Sequence, residues 1–592
     1  MQNLLSAPEA LLARLAALLG DYPLISAWYT SVVRFLFPVL ALLILARSIR
    51  SLLNVPHTPE IWAYLTLPNG LSEPLTHWEN ILGRSSASDV VLGYPTVSRQ
   101  HAALIRTEDG GWMLYDLGSK GGVTVNGAAM EGESHVSYGD VLGLGGVETV
   151  LLPVPPEERA QQRERPVSPW VGLLFLTLFQ ILTAFQLLSS AGDKASPAIP
   201  TAFFCLIAVM WGYFLAMRSI RRVGFEMESI AFFLSTLSLA VTASSAPGSL
   251  FKQLAALLLG LVLFVVLGVF LRDLDRVKRI RWLMAGGAIL LLGATLVLGQ
   301  AKFGAVNWIT FGGFSLQPSE LAKICYIFAG AATLDRLFRK RNLGLFMALT
   351  AACLGCLALM SDFGTAAIFF VTFLVIAYLR SGDWATLTLI SGGAVFAVAI
   401  LLTFKPYILK RFATWGHAWE YASSGGYQQT RTMSAAASGG LVGVGAGEGW
   451  LHRVAAADTD LVFGMLCEEW GLIIGVLSVL CIVTLAVFAV RACRAGRSSF
   501  YTIAACAATS LLVFQTCLNV FGAVDLLPLT GVTFPFVSNG GSSMVASWGL
   551  LAFLKATDTR QNASFAIRLP SWKEEHSVLL NRPIQEEVDE DA

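Results

Sequence analysis

Apolar runs of membrane-spanning length recur along this chain, and they constrain its fold more than any other feature. A helix that crosses roughly 30 Å of hydrocarbon needs about 20 residues, and about thirteen runs come near that length. The first covers residues 25–46, and the others begin near residues 170, 199, 229, 251, 282, 319, 344, 364, 385, 461, 499 and 541. With 55% hydrophobic and 14% charged residues, the sequence predicts a polytopic α-helical membrane protein.

Basic residues between these runs predict an orientation. Successive spans cross the membrane in opposite directions, so all the basic clusters are expected on one face of it. These clusters lie near residues 47–50, 159–165, 218–222, 272–281, 336–341 and 491–497. Short loops rich in Lys and Arg stay in the cytoplasm, so we expect this face, and the C-terminus with it, inside. The loops at 301–318, 405–460 and 523–540 are then outside. A formal net charge of +1 argues against a nucleic-acid partner.

A Pro- and Gly-broken polar segment, LLPLTGVTFPFVSNGGSS at residues 526–543, lies between two of the apolar runs. A bilayer cannot hydrate irregular backbone, so such a segment is expected to line a cavity of the protein or the water-filled entrance to that cavity. A lipid-linked substrate could be handled there.

Residues 58–155 interrupt the apolar pattern with short alternating strands separated by Gly, Ser, Asp and Asn turns. This pattern predicts a small β-sandwich. Its motifs are Gly83 and Arg84 after a strand, SRQHA from Ser98, and DLGSKGGVTVNG from Asp116. In this order they resemble a forkhead-associated domain. The resemblance implies a phosphothreonine protein as partner, and the alternative is a docking module that binds no phosphate.

Recognition of a dianionic phosphate needs several hydrogen-bond donors that converge on its oxygens. The candidate phosphopeptide-binding residues are Arg84, Ser98, Arg99 and Lys120. We expect His101 to brace the binding loop rather than bind ligand. Gly121 stands where such domains usually carry an asparagine, so a side-chain amide expected near the peptide is missing.

From about residue 226 to 557 five further motifs follow in order. They are NWITFGGFSLQPSELAK from Asn307, SDFGTA from Ser361, GYQQTRTMSAAASGGLVGVGAGEG from Gly426, DTDLVFGMLCEEWGLIIG from Asp458 and LPLTGVTFPFVSNGGSS from Leu527. Together they resemble the shape, elongation, division and sporulation family (FtsW, RodA and SpoVE). The resemblance implies a core of about ten spans and a peptidoglycan glycosyltransferase that polymerises lipid II on the outer face of the bacterial cytoplasmic membrane. It also implies a class B penicillin-binding protein transpeptidase as partner.

These observations divide the chain into five predicted parts. They are an N-terminal segment with a transmembrane anchor (1–57), a cytoplasmic forkhead-associated domain (58–155), a linker with extra transmembrane helices (156–225), the glycosyltransferase core (226–557) and a cytoplasmic acidic tail (558–592).

Asp460 is the candidate catalytic residue, because it ends the long outer loop and matches the aspartate that the family uses in glycosyl transfer. A carboxylate within hydrogen-bond reach can accept the proton of an attacking sugar hydroxyl. The resemblance therefore implies a general base and a single inverting displacement. Asp458 replaces a histidine common in the family, and it could raise the proton affinity of Asp460 or compete for its role. Asn539 stands where a tyrosine commonly precedes the paired glycines.

The candidate substrate-binding residues are Trp308, Glu320, Lys323, Arg411, Gln428, Arg431, Ser542 and Ser543. Glu320 and Lys323 lie one helical turn apart, and a substrate pathway or an ion pair between helices is equally consistent with them. Trp308 could stack on a sugar or anchor the loop at the interface. Cations of the loop at 405–460 could hold a pyrophosphate, or could simply be solvated.

The sequence shows no diagnostic metal-ligand spacing, and a divalent cation remains an option as cofactor. Glu468 and Glu469 are expected to have a structural role inside the following span. Two other functions stay open: a lipid II flippase, and a noncatalytic scaffold of the division or elongation machinery.

Overall fold

The computed structural model describes most of the chain. The described residues are 23–53, 61–107 except 87, 111–155, 169–192, 196–332 except 223, 303–304 and 312–313, 340–382, 384–395 except 386 and 394, and 413–564 except 494–495, 497, 559 and 561–562.

Three helices precede the core: α1 (Pro23–Leu53), α2 (Trp170–Ala191) and α3 (Ala198–Ser219). The core helices are α4 (Glu226–Ser245), α5 (Leu250–Phe270), α6 (Leu274–Leu298), α7 (Pro318–Ala332), α8 (Lys340–Leu359), α9 (Phe363–Ser381), α10 (Tyr427–Gly439), α11 (Val462–Cys493), α12 (Ser499–Ala523) and α13 (Gly541–Thr557). Within the described residues, nine helices are long and apolar enough to cross a membrane. The predicted span near residue 385 lies partly outside the described residues.

Close helix contacts build the centre of the core. Helix α4 is buried along nearly its whole length. Helix α13 packs on α5 at Gly260, where a β-carbon would stand 3.1 Å from the side chain of Trp548. The absence of a side chain at Gly260 therefore lets these two helices approach closely.

The helices that precede the core are packed onto it. Helix α1 lies against α2, α4 and α11. An aromatic cluster joins them: the ring centroids of Phe37 and Trp470 are 4.6 Å apart, and Phe179 stacks on Trp470 at 5.6 Å. Aromatic contacts of this kind add to the apolar burial. Helices α1 and α2, which flank the β-rich insert in sequence, thus form an accessory layer on the core.

The insert is an all-β sandwich. Its strands are β1 (Ala63–Thr66), β2 (Ser72–Leu75), β3 (Glu79–Gly83), β4 (Val90–Val91), β5 (Ala102–Arg106), β6 (Trp112–Asp116), β7 (Val123–Val125), β8 (Ala128–Ala129), β9 (Glu133–Val136), β10 (Val141–Leu144) and β11 (Val147–Leu152). One sheet has the order β2-β1-β11-β10-β7-β8 and the other β4-β3-β5-β6-β9. Leu104, Trp112 and Leu142 are buried between them. The predicted fold class, a polytopic helical protein with an inserted β-sandwich, is confirmed.

The sandwich attaches to one end of the helical bundle. The Nδ1 atom of His77 lies 2.5 Å from the Gly496 carbonyl oxygen, and the ring centroids of Trp78 and Tyr501 are 6.0 Å apart. The Tyr501 hydroxyl in turn donates to the Leu271 carbonyl (2.6 Å). These contacts hold the insert against the α5–α6 and α11–α12 connections.

A buried ionic cluster at the same end ties the accessory layer to the core. Arg560 pairs with Asp558 (2.6 Å) and with Glu226 at the start of α4 (3.2 Å), and the Ser51 hydroxyl of α1 donates to Glu226. Burial raises the pKa of the Asp558 carboxyl, but the neighbouring Arg560 guanidinium outweighs burial and holds that pKa below its ordinary value.

Loops at the opposite end of the bundle meet one another. A small antiparallel sheet of β12 (Gln300–Lys302), β13 (Ala305–Phe311) and β14 (Phe314–Leu316) precedes α7 there. The Gln317 backbone N–H donates to Ser542 Oγ of α13 (2.9 Å), and Gly364 of α9 packs on Thr530 and Val532. The part of α11 after Gly471, residues 472–493, runs between the two ends and spans about 33 Å of helix. At Gly471 (φ 86°) the helix breaks, and its first part folds back so that Phe463 packs at Gly475.

Candidate active site

Asp460 lies in a tight turn just before α11 begins. The backbone N–H groups of Thr459, Asp460 and Leu461 all point to the Ala456 carbonyl (2.9–3.3 Å). Ala456 itself has a left-handed backbone (φ 61°), which is uncommon for a residue with a side chain. The turn therefore holds a strained conformation that its surroundings must stabilise.

Helix α12 and the 524–540 loop supply that support. The Asn519 side-chain amide donates to the carbonyls of Asp460 (3.0 Å) and Val532 (2.8 Å), and Ser538 Oγ donates to the Thr459 carbonyl (2.6 Å). Asn519 thus bridges the turn of Asp460 and the Pro- and Gly-broken segment. A polar side chain inside an apolar span is a sequence signal for such a role, but its partners could not be identified without the fold.

The Asp460 carboxylate stands at the edge of this assembly. The residue is half-buried, and Gly531 beside it is exposed. Oδ2 faces Gly531, where a β-carbon would come within 3.3 Å of it. The carboxylate and the irregular segment at 526–543 therefore share one surface.

Two glutamates of α11 hold the glycine-rich part of the long loop. Glu468 accepts from the backbone N–H groups of Trp450 (2.8 Å) and Leu451 (3.0 Å). Glu469 accepts from the Gly447 N–H (3.0 Å) and from the hydroxyl of Ser244 (2.5 Å) at the end of α4. Both carboxylates serve the loop, in agreement with the structural role expected for them.

The accessory layer touches the same loop from the other side. At Gly445 a β-carbon would meet the Thr30 side chain of α1 at 2.8 Å, and at Gly447 it would meet Ser190 Oγ of α2 at 2.3 Å. Gln186 of α2 donates to the Thr30 hydroxyl (3.0 Å). The loop that leads to Asp460 thus lies between α11 and the two helices that flank the β-sandwich.

Glu320 and Lys323 form a buried pair in the first turns of α7. The Lys323 ammonium donates to Glu320 Oε1 (2.7 Å) and to Gln515 Oε1 of α12 (2.9 Å). The Gln515 side-chain amide donates to the Thr533 hydroxyl, and this hydroxyl lies 2.8 Å from Ser543 Oγ. A chain of hydrogen bonds therefore links the ion pair to the irregular segment before α13.

The remaining predicted substrate residues occupy different places. Trp308 is half-buried in β13, and Arg431 is exposed, with its guanidinium 5.2 Å from the Tyr427 ring centroid. Gln428 donates to the Ala455 carbonyl (2.9 Å), which supports the loop. Ser542 and Ser543 are buried. Arg411 lies outside the described residues.

Among the described residues, no group of three or more His, Cys, Asp or Glu side chains is placed to hold a metal ion.

The predicted phosphate-binding residues come together in the β-sandwich. Ser98 Oγ accepts from the Lys120 N–H (3.0 Å), and the Arg84 N–H donates to the Ser98 carbonyl (3.0 Å). The Arg84, Arg99 and Lys120 side chains are exposed. His101 is fully buried: its Nδ1 accepts from the Ser98 N–H (3.0 Å) and its Nε2 lies 2.9 Å from the Gly122 carbonyl. The bracing role predicted for His101 is confirmed.

These loops lie at the end of the sandwich that points away from the helices. Strand β3 runs from Glu79, beside the core contacts of Trp78, to Gly83 beside Arg84, and β5 pairs antiparallel to it. Five residues of strand span about 15 Å. The cationic loops are therefore held away from the bundle, open to a partner.

Comparison with known proteins gives two family matches. The FtsW, RodA and SpoVE family, described as cell cycle proteins, matches residues 217–563, and the FHA domain family matches residues 80–145.

Individual relatives match the same half of the chain. "Peptidoglycan glycosyltransferase RodA" of Mycobacterium tuberculosis is 30% identical over 326 residues, which cover 51% of this chain and 69% of that protein. "Probable peptidoglycan glycosyltransferase FtsW" of Tolumonas auensis is 31% identical over 310 residues, covering 50% and 81%. The crystal structure of the Thermus thermophilus rod shape determining protein RodA matches with a TM-score of 0.41 at 26% identity, covering 56% and 95%.

Proposed function

Because the chain belongs to the FtsW/RodA/SpoVE family of cell cycle proteins and carries an FHA domain, we propose that it is a peptidoglycan glycosyltransferase that polymerises lipid II. Its curated relatives carry the name peptidoglycan glycosyltransferase. Asp460 is the general base of the reaction.

The reaction is one displacement at an anomeric carbon. A sugar hydroxyl of one substrate attacks the anomeric carbon of another, and its proton passes to the Asp460 carboxylate. The new glycosidic C–O bond forms while the bond from the anomeric carbon to the lipid pyrophosphate breaks, and the pyrophosphate leaves with the electron pair. Inversion at this carbon needs no covalent sugar intermediate.

One observation carries this proposal: the Asp460 carboxylate is half-buried at a surface that it shares with Gly531 of the irregular segment. A base must lie where substrate can reach it and must be held in place. The hydrogen bonds from Asn519 and Ser538 to the turn provide the second condition.

The two ends of the bundle support an orientation in the membrane. Asp460 lies in the turn before α11, whereas the β-sandwich contacts Gly496, just after α11 ends. Arg272 and Arg276 of the α5–α6 connection face the β-sandwich, and basic residues of this kind favour the cytoplasmic side. We assign the FHA domain and the C-terminus to the cytoplasm and Asp460 to the outer face of a bacterial cytoplasmic membrane. The FHA domain would bind a phosphothreonine protein through Arg84 and Ser98. A class B penicillin-binding protein transpeptidase is the predicted partner outside.

The test is polymerisation of fluorescent lipid II by the purified full-length protein, alone and with a class B penicillin-binding protein. Asp460→Asn should lower polymer formation by about 100-fold or more. Glu420→Gln, the same carboxylate-to-amide change at an exposed position of the same long loop, should leave polymer formation unchanged. Equal polymer from the wild type and Asp460→Asn would overturn the assignment of Asp460. Transbilayer movement of lipid II without polymer would favour a flippase, and neither activity a scaffold.

A further inference from the structure

Asp458 and Asn539 join the turn of Asp460 to the segment before α13. The Asn539 side-chain amide donates to Asp458 Oδ2 (2.7 Å), and the Asn539 backbone N–H donates to the Asp458 carbonyl (2.8 Å). A hydrogen bond to an ionised carboxylate is stronger than one between neutral groups. Two residues that are 81 positions apart are thus paired through both side chain and backbone.

A third element reaches the same carboxylate. Ser245, the last residue of α4, donates its hydroxyl to Asp458 Oδ2 (3.1 Å). Its neighbour Ser244 donates to Glu469, so the end of α4 contacts both Asp458 and Glu469. The side chain of Asp458 is therefore fixed by donors from α4 and from the 524–540 loop.

We propose that Asp458 is a positioning residue: paired with Asn539, it sets where the Asp460 carboxylate stands relative to Gly531. This inference rests on the proposed function. Asp458 is two residues before Asp460 in a turn that Ser538 and Asn519 hold through its backbone carbonyls. Loss of the Asp458–Asn539 bond would allow this turn to move away from the segment that carries Gly531.

The same contacts argue against Asp458 as an alternative base. Its Oδ2 atom already accepts from Asn539 and Ser245, so this oxygen is occupied by donors of the protein itself. The carboxylate of Asp460 faces Gly531, a residue without a side chain.

A charge exchange tests the pair. Asp458→Asn replaces the carboxylate–amide bond by two facing amides, and Asn539→Asp places two carboxylates together. Each single variant should lower the kcat of polymerisation by about 10- to 100-fold, because small misplacements of a catalytic group have effects of that size, with KM for lipid II within about twofold. The double variant Asp458→Asn/Asn539→Asp restores one amide and one carboxylate, and its kcat should recover to within about fivefold of the wild type.

Ser245→Ala provides a milder variant with no change of charge. It should lower kcat by about threefold while leaving the protein folded. Thermal unfolding in detergent identifies variants that fail to fold. Asp460→Asn, added to the double variant, should abolish its recovered activity.

The results separate this inference from the proposed function. Single variants with wild-type kcat, or a double variant no more active than the weaker single variant, would overturn the positioning role while Asp460→Asn remains inactive. A wild-type protein that makes no polymer with its partner, or an Asp460→Asn protein that polymerises normally, would overturn the proposed function instead.

Discussion

Gly531 lies directly against the Asp460 carboxylate, so that a β-carbon at position 531 would stand 3.3 Å from Oδ2. Gly531 also has a left-handed backbone (φ 70°). The irregular segment and the candidate base therefore meet where a side chain would press on the carboxylate and where the backbone has a conformation that residues with side chains rarely adopt.

Gly531→Ala should lower the kcat of polymerisation by about tenfold, because the added methyl group displaces the Asp460 carboxylate. The left-handed backbone adds a conformational cost of about 1–2 kcal/mol. Gly382→Ala is the matched control, since Gly382 has a similar backbone (φ 62°) but open space around its Cα. Equal kcat values for the two variants in the lipid II assay would contradict the contact with Asp460.

Gly121 of the FHA domain stands where an asparagine was expected, and the structure shows why an asparagine does not fit. A β-carbon there would come within 2.8 Å of the Gly145 backbone and 3.0 Å of the Thr96 carbonyl. Gly121→Asn should therefore lower the unfolding temperature of the domain and fail to increase its affinity for a phosphothreonine peptide.

Gly122→Asn is the control for this prediction. Gly122 has φ 69° with open space, and asparagine tolerates that conformation better than most residues. Scanning fluorimetry and peptide titration compare the two variants, with the unphosphorylated peptide as a blank. Tighter phosphopeptide binding by Gly121→Asn would show that recognition is limited by the missing side-chain amide, and not by the small space around position 121.

The positions of the helices could largely be predicted from the sequence, because apolar length decides them. Spans expected near residues 170 and 499 begin at Trp170 and Ser499. The span expected near 282 begins instead at Leu274, because Asp273 caps the helix by accepting from the Arg276 N–H. Charged residues extend this helix beyond its apolar part, so hydropathy alone misplaces its start.

The surroundings of Asp460 could not be predicted in the same way. The resemblance to a family pointed to Asp460 itself, but Asn519, Ser245 and Gly531 come from three other parts of the chain. Their contacts with the turn depend on how α4 and α12 pack. The hydrogen-bond partners of Asp458 are a further case, because Asn539 and Ser245 could not be identified as its donors from the sequence.

Ser190 of α2 tests whether the accessory layer supports the catalytic loop. Its hydroxyl occupies the space beside Gly447, and a larger side chain would push the loop away from Glu469. Ser190→Leu should lower kcat by about five- to tenfold. Ser219→Leu, at an exposed position at the end of α3, should have no such effect. Unchanged polymerisation by Ser190→Leu would show that the accessory layer does not control this loop.

Lys323 and Glu320 give a prediction about stability. Both side chains are almost fully buried, at 1% and 6% exposure. Lys323→Met leaves Glu320 buried without its ammonium partner, and removing one member of a buried pair costs about 3–5 kcal/mol. We expect a large fall in the unfolding temperature, measured in detergent.

The double variant Glu320→Gln/Lys323→Met should recover most of that loss, because it removes both charges together. Lys252→Met, at an exposed position of α5, is the matched control and should unfold near the wild-type temperature. This recovery would show that the loss of stability comes from the unpaired buried charge of Glu320. If the double variant is no more stable than Lys323→Met, the loss comes instead from the volume and hydrogen bonds of Lys323, including its bond to Gln515.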